Sequence, residues 1–463
     1  MMERKNAWKK YSEEEKKQVF AFADEYKEFL SVCKTERECV SWFVTEAKKH
    51  GFKDLEEVIA GNVTLKAGDK VYADNKGKGL ALYVIGRQPM EQGMNIVGAH
   101  IDSPRLDLKQ NPLYESNDLA MLDTHYYGGV KKYQWVTLPL ALHGVFAKKD
   151  GTVVKVNIGE DPSDPVFGVS DLLIHLASTQ MEKKASVVIE GEDLDLLIGS
   201  IPVAEDDKEV KEKVKENILN ILKEYYQIEE EDFLSAEIEV VPAGPARDYG
   251  FDRSMVMGYG HDDRVCAYPS FAAMLDKEIP ERTSVCLLVD KEEIGSVGAT
   301  GMQSRFFENV TAEVMNACGN YSDIALRRCL ERSRALSSDV SAAFDPNYPS
   351  VSEPKNSAYF GCGVVFNKYT GSRGKSGSND ASAEYMALIR SIMEKGNVTY
   401  QTSELGKVDQ GGGGTIAYIL GNYNMQVIDS GVAVMNMHAP WEIISKADLY
   451  EAKCCYEAFL AEA

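Results

Sequence analysis

No Cys-x-x-Cys pair occurs anywhere in the 463 residues, although nine cysteines do: Cys33, Cys39, Cys266, Cys286, Cys318, Cys329, Cys362, Cys454 and Cys455. An odd, scattered set without that spacing excludes a disulfide framework and a thiolate zinc site. Reduced thiols in a cytoplasmic protein are the expectation. Positive charge is also short, with 51 Lys and Arg against 72 Asp and Glu and a formal charge of −21. Phosphate backbones and anionic lipid need the opposite balance, so nucleic acid and membrane surfaces are excluded as partners. No apolar run is long enough to span a bilayer, and the opening Met-Met-Glu-Arg-Lys-Asn lacks the apolar core of a secretion signal. Only seven histidines are present, so each one inside a polar motif has to be weighed.

What is present is ordinary globular composition, 44% hydrophobic and 27% charged, in a chain long enough for two domains. Residues 12–32 and 35–50 have apolar positions at helical spacing, and Thr35-Glu36-Arg37-Glu38 is a capping box. β-type runs follow at Lys70–Ala73, Gly79–Val84 and Asn95–Ile101. From about Arg105 to Ala243 the texture is strand-rich, with predicted strands at Trp135–Phe146, Thr152–Asn157 and Ala185–Ile189. A charged amphipathic helix is predicted at Asp207–Tyr226, and the turn Pro242-Ala243-Gly244-Pro245 closes the segment. Strands then alternate with helices to the end. The reading is an α/β domain, residues 1–104 and 245–463, split by an inserted β-rich domain over 105–244.

Five β-type runs each stop at a polar cluster. They end at His100-Ile-Asp102-Ser-Pro104, at His261-Asp262-Asp263-Arg264, at Asp290-Lys-Glu292-Glu293-Ile-Gly295, at Asp339 and at His438-Ala-Pro-Trp-Glu442. In an open α/β sheet, sites form beyond the carboxyl ends of the strands, so these clusters are expected to converge. Two histidines, several carboxylates and no cysteine suit zinc, cobalt or manganese. A metal pair needs an anionic bridge, for which Asp262 or Asp263 is well placed. The water it activates needs a general base, and Glu292 beside Glu293 offers a base and a ligand from one turn.

These motifs, in this order and over nearly the whole chain, resemble the M18 metallo-aminopeptidases, the family of aspartyl aminopeptidase and yeast vacuolar aminopeptidase I. Ser338-Asp339, Met437-His438, Tyr127-Gly-Gly129 and Leu173-Ile-His175-Leu belong to the same match. The resemblance implies a zinc-peptidase-like mixed sheet flanked by helices, with the insert serving oligomerisation and substrate access. It implies two divalent ions per subunit, one held by His100, Asp262 and Asp339 and the other by Asp262, Glu293 and His438. Glu292 is implied as general base, and Asp102 as the carboxylate that orients His100. His175 resembles a histidine that reaches the active site of a neighbouring subunit in a tetrahedral dodecamer. The implied reaction is removal of the N-terminal residue from peptides with a free amino end.

Aspartyl aminopeptidases carry histidines just after the equivalent of Asp339. Here Ala342 and Asp345 occupy those places, which favours a neutral or basic N-terminal residue at least as well as an acidic one. Taken one at a time, the motif residues have plainer roles. A lone strand-end histidine is more often packed or solvated, Asp262-Asp263 reads as a helix cap, and Glu292-Glu293 as a solvated turn. Their joint occurrence reverses that weighting for His100 and His438. His175 stands level with a core histidine. His50, His125, His143 and His261 receive no catalytic role. Gly371–Ser376 imitates a phosphate loop but has Tyr369 where that motif needs glycine, so it reads as a basic loop whose Lys375 can meet a substrate carboxylate. Gly411–Gly414 reads as a turn into a helix or strand. Two other functions remain open: a metallo-deacylase of acyl-amino acids on the same scaffold, and a non-catalytic structural or cargo assembly.

Overall fold

The computed structural model describes residues 4–204, 211–275, 278–371 and 374–463. The chain divides into two compact units, one of Met1–Ser103, Ala246–Met437 and Glu442–Ala463, the other of Pro104–Pro245 with His438–Trp441.

The first unit is built on a nine-stranded sheet whose four central strands are Ser284–Val289, Asn95–His100, Arg334–Ser338 and Gln426–Gly431, in that order and all parallel. Their side chains alternate between two cores. Val97, Ala99, Leu288, Leu336 and Ile428 lie in one. Ile96, Leu287, Val289, Ala335 and Val427 lie in the other. Burial on both faces explains why these strands read as continuous apolar runs. Because the strands are parallel and in register, with Val289 opposite His100 and Ser338 opposite Ser430, their carboxyl ends share one edge of the sheet. A five-stranded sheet in the same unit contains Met255–Gly258, Glu442–Ser445 and Ala433–Met435.

The predicted first helices form as Glu13–Val32 and Glu36–Lys49. Each starts in a reciprocal capping box, Ser12 with Glu15 and Thr35 with Glu38, so amides left over in the first turn are satisfied. Val19, Phe22, Tyr26 and Phe29 follow at helical spacing and are buried.

The second unit contains a seven-stranded antiparallel sheet, with Arg105–Ser116 and Leu119–Tyr127 as its longest hairpin. Three expectations are corrected here. The strand predicted at Trp135–Phe146 starts only at Leu140, because Lys132–Gln134 forms a 3-10 turn, Thr137 has φ +60° and Pro139 has no amide hydrogen to give a ladder. The strand predicted at Ala185–Ile189 is a 3-10 turn over Ala185–Val187. The amphipathic helix begins, among the described residues, at Lys213 and passes into a wider π-type turn at Leu222–Tyr226. The start of that prediction, 207–210, lies outside the described residues. Among the described residues no helix is long and apolar enough to cross a membrane.

Replacing Thr35 by Ala should cost about 1 kcal/mol of stability, since the Glu38 amide loses its acceptor at a helix start that is buried. Chemical denaturation of the variant should show a lower midpoint with an unchanged slope; an unchanged midpoint would remove the capping box from the stability of this unit.

Candidate metal centre

His100 is the last residue of its strand, and the chain bends immediately afterwards. Arg264, itself buried, donates to the carbonyls of Ile101 (3.3 Å) and Lys34 (2.7 Å), which sets the path of the bend. The bend brings Asp102 back onto His100. Nδ1 of His100 lies 3.2 Å from the Asp102 carboxylate and 2.9 Å from its carbonyl, so Nδ1 carries the hydrogen. Nε2 is then the lone-pair nitrogen, and it faces Asp262 Oδ1 at 3.2 Å. Burial alone would push His100 down, but the Asp102 and Asp262 carboxylates outweigh it and raise it well above the ordinary imidazole range.

Asp262 was expected at a helix start. The helical segment spans His261–Leu275, yet Asp262 and Asp263 have non-helical backbone angles, and the peptide bond between them is cis. The Asp262 amide donates to Glu442 Oε2 at 3.0 Å, and its carbonyl accepts from Ser103 Oγ at 2.6 Å. The main chain is thus held on both sides while the carboxylate faces His100. Asp263 is fully buried, and burial together with the Asp262 charge pushes its carboxyl far above the usual range. His261 is also buried and accepts or donates at Tyr26 Oη (2.8 Å); burial lowers it to about 3, so it stays neutral.

Glu292 and Glu293 form a 3-10 turn beyond the Ser284–Val289 strand, between Lys291 and Gly295, both left-handed. The Asp102 carboxylate accepts the amides of Glu292 and Glu293, one per oxygen, at 3.1 Å each. Asp102 therefore orients both a histidine and a turn 190 residues later. Asp339 follows the Arg334–Ser338 strand and is fixed by its amide on the Ser430 carbonyl, 2.9 Å away. Loss of solvent, then the charges of Asp263 and Glu292, push its carboxyl well up.

Donor atoms of His100, Asp262 and Asp339 lie within 4.8 Å of one another, and an oxygen of Glu293 lies within the same distance of Asp262. The donors are nitrogen and oxygen only, the set that zinc, cobalt and manganese accept. Several carboxylates crowd around one imidazole, and the upward shifts of Asp263 and Asp339 come first from burial and then from neighbouring carboxylate charge. A divalent cation supplies the missing positive charge, so the residues present fit a metal.

His438 belongs to the other unit. It has φ +65° and is half-buried, and its Nδ1 lies 2.9 Å from the Gly129 carbonyl, which leaves Nε2 as its lone-pair nitrogen. His175 is exposed on the second unit, amid Leu172, Leu173, Ile174 and Leu176, each more than half exposed. Lys375 is engaged in its own loop, 3.1 Å from Asp380 Oδ2 and 3.8 Å over the Tyr369 ring. Asp345 accepts the Asn347 amide at 2.8 Å in a local turn, and Ala342 ends a short strand. Ser103, Arg264 and Glu442 stand inside the sequence motifs but receive no role from the sequence alone. Their signal is their place in the polar stretches that follow the strands ending at His100, Gly258 and Met435.

A family model described as aminopeptidase I zinc metalloprotease (M18) matches residues 29–460. A relative from Clostridium acetobutylicum named probable M18 family aminopeptidase 1 is 66% identical over 460 residues, 99% of this chain and 98% of that one. The crystal structure of aminopeptidase I from the same organism superposes with a TM-score of 0.93 at 64% identity, covering 99% of each chain. An M18 aminopeptidase from Thermotoga maritima superposes with a TM-score of 0.94 at 44% identity over the whole of both chains.

Replacing Asp102 by Ala should weaken zinc binding roughly 10- to 100-fold, because His100 loses the carboxylate beside Nδ1 and keeps only the residue's main-chain carbonyl. Competition with a chromogenic chelator reads this directly. Wild-type affinity in the variant would show that the bend, rather than the carboxylate, sets the imidazole.

Proposed function

Because this chain belongs to the M18 family of zinc metallo-aminopeptidases, we propose that it removes N-terminal residues from peptides at a two-metal site with Glu292 as general base. The observation that carries the reading is the grouping of His100, Asp262 and Asp339 beside the Glu292–Glu293 turn on Asp102. One ion is assigned to His100, Asp262 and Asp339. The other is assigned to Asp262, Glu293 and His438, with Asp262 as the bridge. The tautomer favoured by Gly129 at His438 supports that last assignment, since it presents Nε2 as the ligand atom. Zinc is the metal proposed, and cobalt or manganese fit the same donors.

Bound metal supplies Lewis acidity to the scissile carbonyl and lowers the pKa of water. The chain's own groups do the rest. Glu292, held by its amide on Asp102, takes the proton of the attacking water and passes it to the leaving amine. Asp102 keeps the Nδ1 hydrogen of His100 in place throughout. Ala342 and Asp345, where aspartyl aminopeptidases carry histidines, fit a neutral or basic N-terminal residue at least as well as an acidic one.

We extend the proposal to assembly and compartment. The second unit is read as the element that joins copies and governs access, with His175 turned toward a neighbouring copy's site in a dodecamer. Its exposed setting among Leu172, Leu173, Ile174 and Leu176 supports this, because apolar surface of that kind marks an interaction site. Lys375 is kept as a candidate contact for a substrate carboxylate, released from Asp380. Nine free cysteines support a reducing, cytoplasmic setting.

A panel of aminoacyl p-nitroanilides, each with a free and a blocked amino end, tests the reaction class. Free ends should be cleaved and blocked ones spared; the reverse would make the protein a deacylase. Glu292→Gln should retain both metals by elemental analysis and lose at least about a hundredfold in kcat. His438→Ala should lose one metal, and full occupancy would refute its assignment. Light scattering should give a mass near twelve chains, whereas 51.3 kDa would refute the assembly.

A further inference from the structure

The Glu292 turn is held at its amides by Asp102, and a second set of hydrogen bonds reaches it through the Gly295 carbonyl. Asp429, on the Gln426–Gly431 strand and 2% exposed, accepts from Thr415 Oγ1 at 2.5 Å. The Thr415 oxygen in turn accepts the Ala417 amide at 3.3 Å, which fixes the start of the short helix Ala417–Gly421. Ile416, buried between them, packs over Gly98 of the central strand, where an added Cβ would lie 3.8 Å from its Cδ1. Tyr418, on that helix, accepts at its Oη from Gln303 Nε2 at 3.3 Å, and the same amide group donates to the Gly295 carbonyl at 3.0 Å. Gly295 closes the turn by donating to the Glu292 carbonyl at 2.9 Å.

Asp429 has no role in the metal groups, yet it is buried where burial is costly for a carboxylate. Burial raises it to about 7, the Thr415 hydroxyl opposes that, and the charge of Glu292 adds to it. A buried carboxyl that makes a short bond to a loop threonine is an anchor for that loop.

We propose that the Asp429–Thr415 bond, carried through the Ala417–Gly421 helix to Tyr418 and Gln303, is the second anchor of the Glu292 turn. Asp429, Thr415 and Gln303 are then positioning residues for the base. The proposal rests on the assignment of Glu292 made above. Holding the carboxylate against one point only would leave the turn free to pivot about Asp102, and displacement of a catalytic group on the scale of 1 Å can cost up to about a hundredfold in rate.

The test uses the zinc-loaded protein and three variants: Thr415→Val, Thr415→Ser and Gln303→Ala. Hydrogen–deuterium exchange of residues 291–296 is read beside kcat, KM and metal content. Val and Ala should raise exchange of that segment and lower kcat by roughly tenfold, with KM within about twofold and metal content unchanged, while Ser restores the wild-type values. Gln303 is exposed, so its variant keeps the test valid where Thr415→Val fails to fold. Unchanged exchange or unchanged kcat in Gln303→Ala overturns the proposal, as does loss of metal. Glu292→Gln is run in parallel. If it stays active, the base assignment fails, while the exchange of 291–296 still reports separately on the anchor.

Discussion

One carboxylate joins the parts of this site. Asp102 contacts the Nδ1 side of His100 and accepts the amides of Glu292 and Glu293. These groups come from two different strands that are neighbours in the sheet. Without the Asp102 carboxylate, the imidazole would keep only the main-chain carbonyl at Nδ1 and the turn would have two amides to satisfy elsewhere. A charged acceptor of backbone amides is stronger than a neutral one, so the same group that orients His100 also holds the Glu292–Glu293 turn. The bend that delivers Asp102 depends in turn on Arg264, whose guanidinium holds the Ile101 carbonyl.

The second constraint is charge. Asp262, Asp263, Glu292, Glu293 and Asp339 are drawn toward one imidazole at the edge of a sheet whose interior is apolar. Burial, and after it the charge of neighbouring carboxylates, push Asp263 and Asp339 upward. Such a cluster has two ways to relax, by taking up protons or by taking up a cation, and a divalent ion answers several carboxylates at once. The chain's −21 charge is therefore partly a local matter, concentrated where a metal can offset it.

Much of this was legible in the residues. Strands buried on both faces must be continuous apolar runs, so Leu287-Leu288-Val289 and Ile96-Val97 marked the central sheet, and polar residues directly after such runs marked its functional edge. Helix starts were legible because capping is a local affair, as at Thr35 and Glu38. Distant partners were not legible. Nothing near Asp102 announces that it serves amides at 292 and 293, and Gln303 and Tyr418 are unremarkable polar residues until folding brings them to Gly295. The second unit was read least well, since its turns are set by single backbone features. Pro139 delays a strand that the apolar pattern at Trp135 seemed to begin, and Ala185–Val187 has the composition of a strand but forms a 3-10 turn.

The Glu292 turn shows why two anchors are needed rather than one. Lys291 enters it with φ +67° and Gly295 leaves it with φ +97°. Glycine adopts that region freely, whereas a lysine there is held at a cost of order 1–3 kcal/mol. A turn with that cost at its entrance relaxes unless its neighbours over-determine it. Asp102 accepts the Glu292 and Glu293 amides, and Gln303 donates to the Gly295 carbonyl. Ser296 closes the loop by donating its amide to the Lys291 carbonyl at 2.6 Å. Donors and acceptors of the turn's main chain are thereby both committed, and a fixed main chain under the carboxylate suits the base role proposed for Glu292.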